Sequence, residues 1–312
     1  MVVIGSRAVQ PLAGLLVVDL SRYLPWPFAS RELLRLGARV VRVEPPEGDP
    51  LRAVDPRWDA ELNAGKESVV CDLKAEPGLA RRLCRRADVV IEGFRPGVAA
   101  RLGLEPGERT IWCSITGFGS GGRHEQRVGH DLNYLGWAGV LADTAPANPP
   151  VPVADFTGSF AAVREILAAL LERERTGRGA RLEVSMAHEA HRLAAPPFLT
   201  GAAACYRIYE TADGRFLTVA ALEPRFWRRL CELVGLPELI ERAFEADLPE
   251  LAARLGERPL AEWLELFASE EVCAGPVATP AEAAPEFAAP APGRAPALGE
   301  HTAAWRAELG PS

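Results

Sequence analysis

The chain has 312 residues, 48% hydrophobic and 25% charged, which is enough for a sizeable core and about two domains. A formal net charge of −7 leaves no basic excess for general nucleic-acid binding, although a local basic pocket for a small anion stays open. No run reaches the roughly 18 apolar residues of a membrane span, residues 1–10 lack a secretory pattern, and Cys71, Cys84, Cys113, Cys205, Cys231 and Cys273 are scattered without a CxxC pair. The expectation is a cytoplasmic protein with reduced thiols and neither a membrane nor a nucleic-acid partner.

Residues 15–20 (LLVVDL) form a short apolar run between Gly14 and Ser21, as in a strand buried on both faces of a parallel sheet. Residues 28–36 read as a helix, with Gly37 where a helix C-terminus favours glycine. A second strand over 39–43 stops at Pro45-Pro46, and a helix over 79–86 and strands over 88–91 and 110–115 follow. This alternation predicts right-handed crossovers and an α/β fold, a doubly wound, Rossmann-like parallel sheet. After Asp131, Leu132, Leu135, Gly139 and Val140 recur at helical spacing. Phe156, Phe160, Val163, Ile166, Leu167 and Leu170 make a second stripe that ends at Thr176-Gly177. Residues 182–184 read as a further strand. From about Tyr206 the pattern restarts, with a strand over 216–221 and helices around 226–234 and 260–268, so a second, smaller α+β domain is expected. The predicted division is 1–190 with 276–312 as the large domain and 191–275 as the small one. The Ala/Pro-rich stretch 280–296 reads as an extended strap rather than a packed element.

Gly117-Phe118-Gly119-Ser120-Gly121-Gly122 matches the dinucleotide pattern G-x-G-x-x-G behind a predicted strand. That chemistry needs a helix to open at once, its N-terminus facing the diphosphate. Arg123-His124-Glu125-Gln126-Arg127 has no apolar stripe, so a flexible loop is the better reading. Ser120 comes one place too late for a G-x-S-x-G elbow. His188 and His191 are three apart with no third ligand at a workable spacing, which favours surface histidines, and no metal is expected.

His130 stands immediately before one predicted helix and Asp155 at the start of another. Helix N-termini carry partial positive charge and spare N–H groups. Such surroundings favour an ionised Asp155 and an uncharged His130, two proton acceptors near neutral pH, with N–H groups available to a developing oxyanion. Each residue taken alone also has a structural explanation, Asp155 as a helix cap above all. Spacing decides no further.

Several motifs have a familiar look. They are Pro11-Leu12-Ala13-Gly14-Leu15 with Asp19-Leu20-Ser21, Gly37-Ala38-Arg39-Val40-Val41-Arg42-Val43-Glu44, Asn63-Ala64-Gly65-Lys66 and Phe94-Arg95-Pro96-Gly97-Val98. Gly129-His130-Asp131-Leu132-Asn133-Tyr134, Thr176-Gly177-Arg178-Gly179, Ala221-Leu222-Glu223-Pro224-Arg225-Phe226 and Leu298-Gly299-Glu300-His301-Thr302 continue the series. Over nearly the whole chain this combination resembles the CoA-thioester family of α-methylacyl-CoA racemase and the class III CoA-transferases.

The resemblance implies an acyl-CoA thioester as partner, with coenzyme A as part of the substrate and no prosthetic group. It implies His130 and Asp155 as opposed bases with Glu223 supporting His130, Arg95 at the CoA site, and an interlocked homodimer. Arg42 and Arg52 are expected with Arg95 on the side that receives the CoA phosphates, and the amides near Asp131 are expected to meet the thioester oxygen. The His130 and Leu222-Glu223-Pro224 motifs look like the racemase branch, so the expected activity is inversion of the α-carbon of a 2-methylacyl-CoA. A class III CoA-transferase working through an Asp155 acyl anhydride and a non-catalytic CoA-binding homologue are the alternatives. The sequence departs from the family pattern at Trp26, where glycine is usual, at Arg123, where proline is usual, and in a 186–206 linker about twenty residues shorter than usual.

Overall fold

The computed structural model describes residues 3–4, 7–288, 291 and 293–310. The chain forms two compact units, a large one of residues 1–142, 147–193 and 291–312 and a small one of 143–146 and 194–290.

A six-stranded parallel sheet organises the large unit. Its strands are β1 (Leu16–Asp19), β2 (Arg39–Glu44), β3 (Glu67–Val70), β4 (Val89–Glu92), β5 (Ile111–Thr116) and β6 (Ala180–Ser185). They lie in the order β3-β2-β1-β4-β5-β6. This is the doubly wound arrangement, and strand order reverses between β1 and β4. Side-chain alternation divides the strands between two cores. Val17, Val40, Val89, Ile111 and Ile115 face one layer, while Leu16, Val18, Val41, Val90 and Trp112 face the other. On the first face lie helices α1 (Pro25–Arg35), α4 (Asp131–Trp137), α5 (Val153–Thr176) and α6 (Met186–Arg192). Helix α2 (Pro56–Asn63) joins β2 to β3, and α3 (Gly78–Arg86) covers the second face through Leu79, Ala80, Leu83 and Cys84. Helix α5 runs 24 residues and stops where Gly177 turns left-handed at φ 72°.

In the small unit, β7 (Tyr206–Glu210), β8 (Phe216–Ala220) and β9 (Ala274–Pro276) form an antiparallel sheet in the order β9-β8-β7. Helices α7 (Pro224–Val234), α8 (Pro249–Leu255) and α9 (Leu260–Phe267) bury Trp227, Leu230, Leu251, Leu255 and Trp263 with Leu217 and Val219. The expected strap is partly helical instead. Helix α10 (Pro280–Phe287) opens on a capping box, with Thr279 Oγ1 accepting from Glu282 N and a Glu282 carboxylate oxygen accepting from Thr279 N. The small unit accordingly runs to residue 290 rather than 275; of the expected strap, residues 289, 290 and 292 lie outside those described.

A last helix, α11 (Thr302–Leu309), lies along edge strand β3. His301 Nδ1 accepts from Ser68 N, Thr302 Oγ1 accepts from Val70 N, and His301 N donates to Ser68 O. Trp305 is fully buried there.

Candidate active site

At the carboxyl ends of β1, β4 and β5 opens a cleft of about 790 Å³. In open α/β sheets, ligands bind where strand order reverses, outside these strand ends. One wall is the turn after β1 (Arg22, Tyr23) with the start of α1 (Pro25, Trp26), and a second is the turn after β4 (Gly93, Phe94, Arg95). The loop 117–130 and the first turns of α4 and α5 close the rest.

The cleft lacks the usual nucleotide cradle. The β1–α1 turn, residues 20–24, contains no glycine, and Pro25 and Pro27 remove two of the first N–H donors of α1. No helix opens at the glycine-rich 117–122 stretch; it stays a loop until α4 begins at Asp131. His188 and His191 both lie on α6, hydrogen bonded to Ser185 Oγ (2.7 Å) and Ala138 O (2.9 Å).

His130 and Asp155 line the same cleft. His130 caps α4 with an extended backbone, and its N–H donates to Asn133 Oδ1 at 3.1 Å. Its ring meets Tyr23 edge-on, with centroids 6.0 Å apart. Asp155 sits in the first turn of α5, half-buried. Its pKa is pushed up to about 7, first by burial and then by the Asp131 carboxylate. The expected ionising effect of the helix terminus is therefore outweighed, and at neutral pH the group is divided between acid and base forms. Burial raises Asp131 as well, while Asp131 Oδ1 accepts from Asp155 N at 3.0 Å. Its carboxyl is thus turned to the start of α5, and only its backbone is left for the expected oxyanion contact.

Two of the expected phosphate ligands are misplaced for that role. Arg42 is fully buried; it donates to Asp59 and Asp49 at 2.9 Å each and lies 3.5 Å from Glu44. A strand covered on both faces leaves its guanidinium no route to a ligand. Arg52 is committed to Glu44 and to Pro296 O. Arg42 acts at one remove. Asp49 Oδ2, held by Arg42, accepts from the N–H of Tyr23, which adopts φ 68°, a left-handed value uncommon outside glycine.

Arg95, by contrast, lines the cleft, and so do Arg22 and Arg127, which no motif in the sequence marks. Arg22 and Arg95 are exposed. The Arg95 turn is braced by Glu92, which accepts from Phe94 N at 2.6 Å and from Ser114 Oγ, and whose pKa burial raises. The cleft of an acidic protein thus carries three guanidinium groups. Glu223 lies in the small unit, exposed, as the N-cap of α7.

Comparison with known proteins follows the same lines. The model of CoA-transferase family III matches residues 12–291. The chain belongs to CoA-transferase family III. Among family relatives, human alpha-methylacyl-CoA racemase is 36% identical over 305 residues, covering 86% of this chain and 78% of that protein. Acetyl-CoA:oxalate CoA-transferase of Acetobacter aceti is 33% identical over 325 residues, covering 88% and 82%. A CAIB/BAIF family protein from Brucella suis superposes with a TM-score of 0.81 at 28% identity, covering 97% of this chain and all of that one.

Proposed function

We propose that this family III protein is an acyl-CoA isomerase that inverts the α-carbon of a 2-methylacyl-CoA thioester. The observation that carries the reading is the convergence of His130 and Asp155 on one cleft, with Asp155 raised to about 7. An α-proton next to a thioester is acidic enough to leave if the enolate oxygen is stabilised. One group then takes the proton and the conjugate acid of the other returns one on the opposite face. A base poised near ambient pH suits both halves of that cycle and is worth about 10²–10⁴-fold in rate. The first amides of α4, at Asp131 and Leu132, have no carbonyl within their own helix and suit the enolate oxygen. Glu223 is proposed to support His130.

Arg22, Arg95 and Arg127 are the proposed partners of the CoA phosphates, in place of Arg42 and Arg52. Guanidinium groups bind phosphate in a bidentate and local way, so the overall charge of −7 is no obstacle. No metal or redox cofactor enters the proposed reaction. None of the described helices is long and apolar enough to cross a membrane, and the cytoplasm is the proposed location. A homodimer is proposed as the working assembly, and ultracentrifugation finding only monomer at micromolar concentration counts against it.

CoA transfer through an Asp155 acyl anhydride is the second reading, supported by the transferases among the relatives. Against it, the transferase branch commonly carries a mobile glycine-rich loop in its small domain, whereas here β8 reaches α7 through Ala221-Leu222-Glu223, which contains no glycine. The deciding experiment follows solvent deuterium into the α-position of a panel of 2-methylacyl-CoA thioesters. Exchange with inversion supports the isomerase. A hydroxylamine-trapped Asp155 adduct, with full activity after His130→Ala, promotes the transferase.

A further inference from the structure

The crevice where β1 and β4 part is already occupied by a side chain of the protein. Trp26, at the start of α1, is half-buried, and its Nε1 donates to Ile115 O near the end of β5 at 2.8 Å. Its ring lies on Gly93, directly after β4; a Cβ built there would stand 2.2 Å from the indole Cε2. Gly93 has no left-handed φ to explain its identity. The position is open to glycine because the ring fills it.

The backbone that carries the indole is also held on both sides. Pro25 O lies 2.7 Å from Ser159 Oγ, and Pro27 O accepts from the buried Lys66 Nζ at 2.8 Å. Prolines on either side of Trp26 fix their own φ, so the backbone has little freedom to carry the ring away. The tie to Ser159 bears on the chemistry as well. The same Oγ stands 2.6 Å from the backbone oxygen of Asp155, so its one hydrogen is shared between that carbonyl and the one before Trp26. Trp26 and Asp155 line one cleft, so a ligand bound at Asp155 shares that cleft with the indole.

We infer that Trp26 determines acyl-chain specificity, its indole acting as a fixed wall that admits compact α-branched acyl groups and turns away chains extending past the crevice. The inference rests on the reading of this cleft as an acyl-CoA site. A rigid apolar pocket discriminates by about 10–200-fold per misfitting methylene-sized change. A large step in the chain-length profile is therefore expected.

The test compares 2-methylpropanoyl-, 2-methylbutanoyl-, 2-methyloctanoyl- and 2-methyldodecanoyl-CoA on the full-length wild type, Trp26→Ala and Trp26→Phe. Calorimetric binding and α-deuterium exchange are measured on each. The wild type is expected to bind the two short thioesters at least about tenfold more tightly than the long ones. Trp26→Ala is expected to erase or invert that ratio, and Trp26→Phe to give an intermediate one. Should Trp26→Ala fail to fold, Trp26→Phe and Gly93→Ala, whose Cβ cannot coexist with the ring in its present place, carry the comparison. A length profile unchanged in every folded variant overturns the proposal, as does a wild type that prefers the long chains. Binding without exchange in the wild type removes the isomerase reading alone, because the affinities still report on Trp26. A wild type that binds no acyl-CoA at all overturns both.

Discussion

The backbone N–H of Asp155 donates to Oδ1 of Asp131 at 3.0 Å, which brings two carboxyl groups together at the start of α5. Proximity to the Asp131 charge makes the Asp155 proton harder to lose. Asp131→Asn keeps an acceptor for the amide and removes the charge, so the Asp155 pKa should fall below about 7. The limb of the pH profile for deuterium exchange that depends on ionised Asp155 should move to lower pH. Profiles of kcat/KM from pH 5 to 9 check this, and an unmoved limb counts against the coupling.

The same shift has a cost in stability. Asp155 has a folded pKa of about 7 against the ordinary aspartate value of 3.8, so between those pH values the folded state holds the proton more tightly. Stability contributed by the neutral acid is complete below about pH 4 and is lost as pH rises through 7. Asp155→Asn should therefore stabilise the protein above pH 7, by up to about 4 kcal/mol before any discount for partial exposure, and should change little at pH 3.5. Thermal unfolding at the two pH values checks the sign.

If His130 and Asp155 work on opposite faces, His130→Ala and Asp155→Asn should each abolish inversion in both directions, by about 10²–10⁴-fold. Each variant should keep deuterium exchange on one enantiomer only, and the two should favour opposite enantiomers. Exchange assays on resolved substrates read this directly.

Replacing Arg22, Arg95 or Arg127 with Ala should each weaken CoA binding about tenfold, the worth of a charge-assisted hydrogen bond, with little effect on melting. Arg42→Ala should behave in the opposite way. It leaves Asp49 buried without its cation and Asp59 with only Arg52 at 3.7 Å, an effect of about 3–5 kcal/mol on stability. Calorimetry and denaturant unfolding on the four variants separate the two classes.

Lys66 provides a comparable check on the scaffold. Its fully buried ammonium donates to Pro27 O, Ser30 Oγ and Asn63 Oδ1 and lies 3.4 Å from Asp19, and burial lowers its pKa to about 8. Lys66→Met should destabilise by about 3 kcal/mol, because Asp19 loses its buried partner, and should loosen the start of α1. Urea unfolding measures the first effect, and the chain-length profile of exchange measures the second.

The parallel strands are legible in the sequence because strands covered on both faces need continuous apolar runs, as 15–20 shows. The exception is instructive. Strand β3 has only Val69 and Val70 as apolar residues, yet it lies at the edge with α11 over it, so pattern alone passes it by. His130 and Asp155 stand out as polar residues at helix starts, and such positions are visible in a sequence. That Arg22 and Arg127 join Arg95 in the cleft is not visible, because the three are brought together only by strand order. Arg42, set among Val40, Val41 and Val43, carries the contrary signal. A charge inside a doubly covered strand points to a buried partner. The small unit is legible from its restart near Tyr206, but the capping box at Thr279 and Glu282 is masked by surrounding alanine and proline.

Helix α11 closes the exposed margin of β3 with contacts that span more than 230 positions along the chain. During synthesis, the margin of β3 therefore waits uncovered until more than 230 further residues have been made. For that interval it offers unpaired backbone groups to any other extended chain nearby. Nascent-chain aggregation, rather than loss of catalysis, is the hazard most closely tied to changes at His301, Thr302 and Trp305.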